Sequence, residues 1–124
     1  MVSMFAPNKI KKPRTQEEYE LIASTLYASY CNLSLAHLNL GRVSQALQAA
    51  QSAIALNPEN PKGYYRRGRA RLASGMAEEA GEDFSTVLKY NPGDSASLEG
   101  LQQVQVALSK AKEKEQKMFK KMFA

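Results

Sequence analysis

The chemistry in this sequence is densest in KGYYRRGRAR, residues 62–71, where Lys62, Arg66, Arg67, Arg69 and Arg71 stand beside two tyrosines. Cations at this density can grip a phosphate or carboxylate, or can answer acids inside the fold. Helical spacing separates the two uses. Lys62, Arg66 and Arg69 fall at i, i+4 and i+7 and share one stripe, while Arg67 and Arg71 share another. Lys is a compact point charge and Arg a planar fork matched to a carboxylate, so the first stripe is a candidate anion grip. Arg67 and Arg71 read as surface cations answering acids such as Glu78, Glu79, Glu82 and Asp83. Those four carboxylates lie on one amphipathic stretch and read as a solvated face rather than an acid–base pair.

Catalytic alternatives are thin. Cys31 and His37, the single cysteine and histidine, are six residues apart on different faces of a mostly apolar helix, so they form no local dyad. One of each supplies little for a transition-metal site, and both read as structural. Neither GxxxxGK nor GxGxxG occurs, and Gly68 reads as a small packing residue between helices rather than part of a phosphate loop. The chain reads as non-enzymatic, without cofactor or metal.

The elements that position the cations follow from an internal period of 34. At that offset Tyr30 falls on Tyr64, Gly41 on Gly75, Ala46 on Ala80, and Asn57-Pro58 on Asn91-Pro92. Gly41 and Gly75 can end a helix in a left-handed conformation. Ala46 and Ala80 let antiparallel helices approach closely. Pro58 and Pro92 stop the second helix, and Asn60 before Pro61 is an N-cap followed by a first-turn proline. Each repeat is thus a helical hairpin. The spacing predicts helices over 15–40, 43–57, 61–74, 77–90 and 95–122. The first, apolar around much of its circumference from Leu26 to Leu40, is expected to be covered on both faces. In the last, Leu101, Val104, Leu108 and Ala111 form a capping stripe; beyond Ala111 it turns charged and should project into solvent.

Composition places the helices in a mixed electrostatic setting. The net charge of +5 is concentrated at the ends: residues 1–14 carry four cations and no acid, and residues 109–124 six cations against two acids. The body between is slightly acidic, which weakens an argument for nucleic acid from charge alone. The uncharged run 21–41 holds too many polar side chains for bilayer hydrocarbon. A lone cysteine and the lack of a signal-type apolar segment fit a reducing compartment, cytoplasmic or also nuclear.

Residues 27–60 and 61–94, with their small residues, turn glycines and terminal prolines, resemble two tetratricopeptide repeats. The resemblance implies an all-α fold: helix-turn-helix repeats stacked as a short α-solenoid over 15–94, a basic segment over 1–14, and a capping helix over 95–124. His37, Arg71 and Ala50 depart from residues common in the family. In such arrays the first helix of each hairpin lines a concave groove, which implies that Lys62, Arg66 and Arg69 face it. Asn32, in YCNLSLAHLNLG, is one repeat before Arg66. Asn32, Lys62 and Arg66 resemble half of the carboxylate clamp by which TPR co-chaperones hold an acidic C-terminal tail. The family's other clamp residues, a Lys and an Asn of an earlier repeat, have no counterpart here.

The ending KEKEQKMFKKMFA resembles the C-terminus of large immunophilins of the cyclophilin or FKBP type, which carry a prolyl isomerase domain upstream that this chain lacks. The resemblance implies a co-chaperone module gripping the EEVD-type tail of the ninety-kilodalton heat-shock chaperone, with the seventy-kilodalton chaperone tail as a second ligand. It also implies calmodulin binding through Lys117, Met118, Phe119, Lys120, Lys121, Met122 and Phe123, a basic stretch with apolar anchors. A scaffold module without a working clamp and a nucleic-acid binder are the alternatives; no interleaved stacking aromatics or nucleic-acid motif favour the latter, and no membrane partner is expected. Finally, Tyr19, Ile22, Leu26, Tyr30 and Leu33 form an apolar stripe on the first helix, which is expected to pair with a second copy unless Met4, Phe5 and Ile10 cover it as a lid.

Overall fold

The computed structural model describes Lys12 and residues 15–123. Five helices follow in order: α1 (Gln16–Asn39), α2 (Val43–Leu56), α3 (Pro61–Ala73), α4 (Ala77–Tyr90) and α5 (Ser95–Phe123). Their starts and stops are chemical. Thr15 caps α1 by accepting from the Glu18 N–H, and Asn60 caps α3 by accepting from the Lys62 N–H, with Pro61 in the first turn. Helices α1 and α3 end at glycines with φ of 77° (Gly41) and 85° (Gly75), where a side chain would be strained. At both ends the residue after the glycine donates five residues back, Arg42 to the His37 carbonyl and Met76 to the Arg71 carbonyl, closing Schellman motifs.

The hairpins α1–α2 and α3–α4 stack through α2 against α3, and α5 closes the far side against α4 and α3. Ala46, Ala50, Ala53 and Ala80 are fully buried, and the absence of longer side chains there sets the close helix spacing. The Ser34 hydroxyl adds a bond to the Ala46 carbonyl across the first hairpin. In the second unit the fully buried Phe84 lies between two glycines. A Cβ built on Gly68 would come 2.9 Å from its ring, and one on Gly100 2.8 Å. Gly68 is therefore the packing residue its sequence context suggested. Among the described residues no helix is long and apolar enough to cross a membrane.

Two expectations are corrected. The first helix is covered on one face only: Tyr27, Cys31 and Ser34 are buried, whereas Ile22, Leu26, Leu33 and Leu40 are exposed. These leucines and Ile22 lie on a side that neither α2 nor α3 reaches. Second, Arg67 and Arg71 do answer one of the expected acids, but inside the fold rather than on a solvated face. Both converge on one carboxylate, Asp83, which is 2% exposed; Arg67 Nη2 and Arg71 Nη1 lie 2.8 and 3.0 Å from its two oxygens. Asp83 leaves the solvated set because its turn of α4 faces α3, while Glu78 and Glu82 remain exposed. The expected lid residues Met4, Phe5 and Ile10 lie outside the described residues.

Candidate peptide-binding groove

The groove begins with the start of α3. Tyr27 of α1 places its hydroxyl at the first turn of α3, accepting from the Gly63 N–H at 2.7 Å and donating to the Asn60 carbonyl at 3.2 Å. The Gly63 N–H is one of the orphan donors of a helix N-terminus, so α1 caps α3 across the repeat junction. Burial pushes the Tyr27 phenol well above its ordinary range. Tyr64 adds a bond from its hydroxyl to the Pro58 carbonyl at 2.7 Å. Both tyrosines fix where Lys62 and Arg66 emerge.

Lys62 and Arg66 line one open groove of about 280 Å³ together with Asn60, Pro61, Tyr65 and, from the next unit, Val87, Asn91, Asp94 and Ala96. Its floor is part apolar, and its acid is already engaged: Asp94 accepts from the Ser97 N–H at the start of α5. Arg66 also borders a smaller depression of about 130 Å³ with Ser34, Leu35, Leu38, Asn39, Tyr65 and Arg69. Its guanidinium lies 5.9 Å over the Tyr65 ring, and Tyr65 in turn packs on Phe84 at 5.8 Å. The cation is therefore braced from the core. Its Nε is buried and has no hydrogen-bond partner among the described residues.

The remaining sequence candidates divide. Arg69 borders the smaller depression but donates to Gln103 Oε1 of α5, so it ties α3 to the capping helix. Asn32 is exposed on α1 and lines neither depression. Its neighbour Cys31 is buried; burial raises the thiol's pKa, opposed by its hydrogen bond with Tyr27 and by the charges of Lys62 and Arg66. Lys117, Met118, Phe119, Lys120, Lys121, Met122 and Phe123 lie on exposed turns of α5, away from the groove. Among the described residues no cluster of His, Cys, Asp or Glu could hold a metal.

Sequence reasoning missed Tyr27 and Tyr65. Tyr27 opens the first repeat without any motif around it, and Tyr65 reads in the sequence only as an aromatic between cations. Their roles depend on what α3 and α4 bring to them.

The tetratricopeptide repeat model matches residues 37–111, well over half of the chain. This chain belongs to the tetratricopeptide repeat family. Its sequence is 35% identical over 109 residues to the peptidyl-prolyl cis-trans isomerase FKBP4 of Bos taurus, covering 88% of this chain and 24% of that protein. The chain thus spans about a quarter of that relative's length, and its repeats form a protein-interaction fold rather than an isomerase domain. Among solved structures, the first TPR of Spaghetti (RPAP3) bound to the HSP90 peptide SRMEEVD superposes with a TM-score of 0.64. It is 31% identical, with 67% of this chain and 66% of that one covered. The second TPR domain of human RPAP3 in complex with the HSP70 peptide SGPTIEEVD gives 0.61 at 30% identity, over 64% and 66%.

Proposed function

We propose that this chain is a co-chaperone module that binds the acidic C-terminal peptide of a heat-shock chaperone, with Asn32, Lys62 and Arg66 as the clamp and Arg69 behind them. The observation that carries the reading is the convergence of Lys62 and the braced Arg66 on one open groove. A terminal carboxylate accepts from the guanidinium of Arg66, while Lys62 adds a point charge and Asn32 an uncharged donor. Two TPR neighbours that are about as similar as any relative named above were solved with EEVD-ending peptides of HSP90 and HSP70. The HSP90-type tail is the preferred ligand of this reading and the HSP70-type tail the second. Cytoplasmic placement, with access to the nucleus, follows from such partners.

Calorimetric titration with an EEVD-ending peptide tests the clamp. Charge-assisted hydrogen bonds contribute about 1.5–3 kcal/mol each, so Lys62→Ala or Arg66→Ala should weaken binding roughly ten-fold or more. Amidating the peptide's C-terminus should weaken it likewise. Unchanged affinity in both variants would refute the clamp and leave a scaffold role. Duplex DNA over a salt series is the counter-test, and no binding is expected there. A second ligand, calmodulin, is favoured only by the exposed Met and Phe side chains among the lysines of distal α5.

A further inference from the structure

Among the described residues, Arg67 and Arg71 are ion-paired with Asp83, whereas Lys62, Arg66 and Arg69 have no carboxylate partner. Lys62 and Arg66 border the larger groove. Arg66 and Arg69 border the smaller depression of about 130 Å³, which shares Tyr65 and Arg66 with the groove as a common wall. No carboxylate lines that depression. Two guanidiniums three residues apart on one helix face repel each other unless an anion lies between them.

The depression repeats the donor set of the clamp two turns further on. Helices α1 and α3 run in the same direction here: Tyr27 meets Asn60 and Gly63 at the start of α3, and Leu38 and Asn39 share the depression with Arg66 and Arg69. Asn39 stands seven residues after Asn32 on α1, and Arg69 seven residues after Lys62 on α3. Seven residues are close to two helical turns, so each returns to nearly the same face about 10 Å further along. An amide of α1 set beside a cation of α3 thus occurs twice, Asn32 with Lys62 and Asn39 with Arg69. Arg69 gives one N–H to the neutral Gln103 Oε1, which leaves its charge unanswered and most of its fork for another acceptor. Leu35 and Leu38 give the depression apolar sides, suited to the methylenes of an acidic side chain.

We propose that Arg66, Arg69 and Asn39 form a second carboxylate seat, which takes the acidic side chain three residues before the C-terminal residue of the peptide in the clamp. The assignment rests on the clamp reading. An extended peptide advances about 3.4 Å per residue, so three residues cover the roughly 10 Å between the two seats. In a tail ending EEVD that side chain is the first glutamate. A tail with a free terminal carboxylate and no acid at that place fills one seat of the two.

Calorimetric titration of wild type and Arg69→Gln with peptides ending EEVD, QEVD and EQVD tests the seat. Wild type should bind QEVD about three- to ten-fold more weakly than EEVD, and Arg69→Gln should bind the two nearly alike. The wild-type preference should shrink as salt is raised. EQVD should not distinguish the two proteins. Gln103→Ala, which removes only the tie to α5, should keep the full preference for EEVD over QEVD. If Arg69→Gln loosens α5, Asn39→Ala on the exposed side of α1 provides the same comparison, with a smaller loss of preference expected. Equal weakening of all three peptides by Arg69→Gln would mean that Arg69 acts only by holding α5, and would overturn the seat. So would a coupling to the second glutamate instead of the first. Loss of EEVD binding in Lys62→Ala, with no coupling of Arg69 or Asn39 to either glutamate, would leave the clamp standing and the seat refuted. A wild-type chain that binds none of the peptides overturns both.

Discussion

Asp83 shows how one side chain changes the meaning of a charged stretch. Of the five cations in residues 62–71, two are used internally, held by a carboxylate with only 2% of its surface exposed. Removing that carboxylate leaves two half-buried guanidiniums facing each other. Asp83→Ala should therefore lower unfolding stability by about 3 kcal/mol, while EEVD-peptide affinity measured well below the melt stays within about two-fold. Tyr27 gives a pH signature. Its folded pKa is raised, so the neutral phenol is the form the fold prefers. Stability from it is complete below the unfolded value of about 10 and declines as pH climbs above that. Denaturant midpoints of wild type should fall between about pH 9.5 and 11, and Tyr27→Phe, about 1–2 kcal/mol weaker at neutral pH, should lose less over the same interval.

At the scale of elements, the glycines separate two kinds of constraint. Gly41 and Gly75 have open space around them, and only their positive φ resists a side chain. Alanine there should cost about 1–2 kcal/mol, the left-handed penalty. Gly68 and Gly100 have ordinary helical backbones but face the Phe84 ring at under 3 Å from a built Cβ. Gly100→Ala should destabilise through overpacking, by about 1–3 kcal/mol, and should be partly rescued by Phe84→Leu in the double variant. Alanine at Gly41 should show no such rescue. Thermal melts of wild type, the three single variants and the two doubles with Phe84→Leu decide this.

For the molecule as a whole, the capping helix divides in two. Gly100 and Val104 are buried and Leu101 and Leu108 pack around Phe84, whereas the described residues beyond Ser109 are exposed. Deleting residues 113–124 should leave the cooperative melt of the monomer and its EEVD-peptide affinity nearly unchanged. Loss of the thermal transition in that truncation would place the terminal methionines and phenylalanines in the core.

The period of 34, the turn glycines, the helix-stopping prolines and the Asn60 cap were local enough to be read in the sequence, and they specified five helices whose ends lie within two residues of the expected ones. The i, i+4 pairing of Lys62 with Arg66 was legible for the same reason, since neighbours on one helix face are set by helix geometry alone. What covers a face is a different kind of fact. Leu26 and Leu33 have the same sequence character as the half-buried Leu101 and Leu108, and Glu82 and Asp83 are adjacent acids of like propensity. Only the stacking of α3 on α4 buries Asp83 between two arginines and leaves Glu82 in water. Only the placement of α2 and α3 on one side of α1 leaves its leucines exposed, because burial is decided by contacts between residues far apart in the chain.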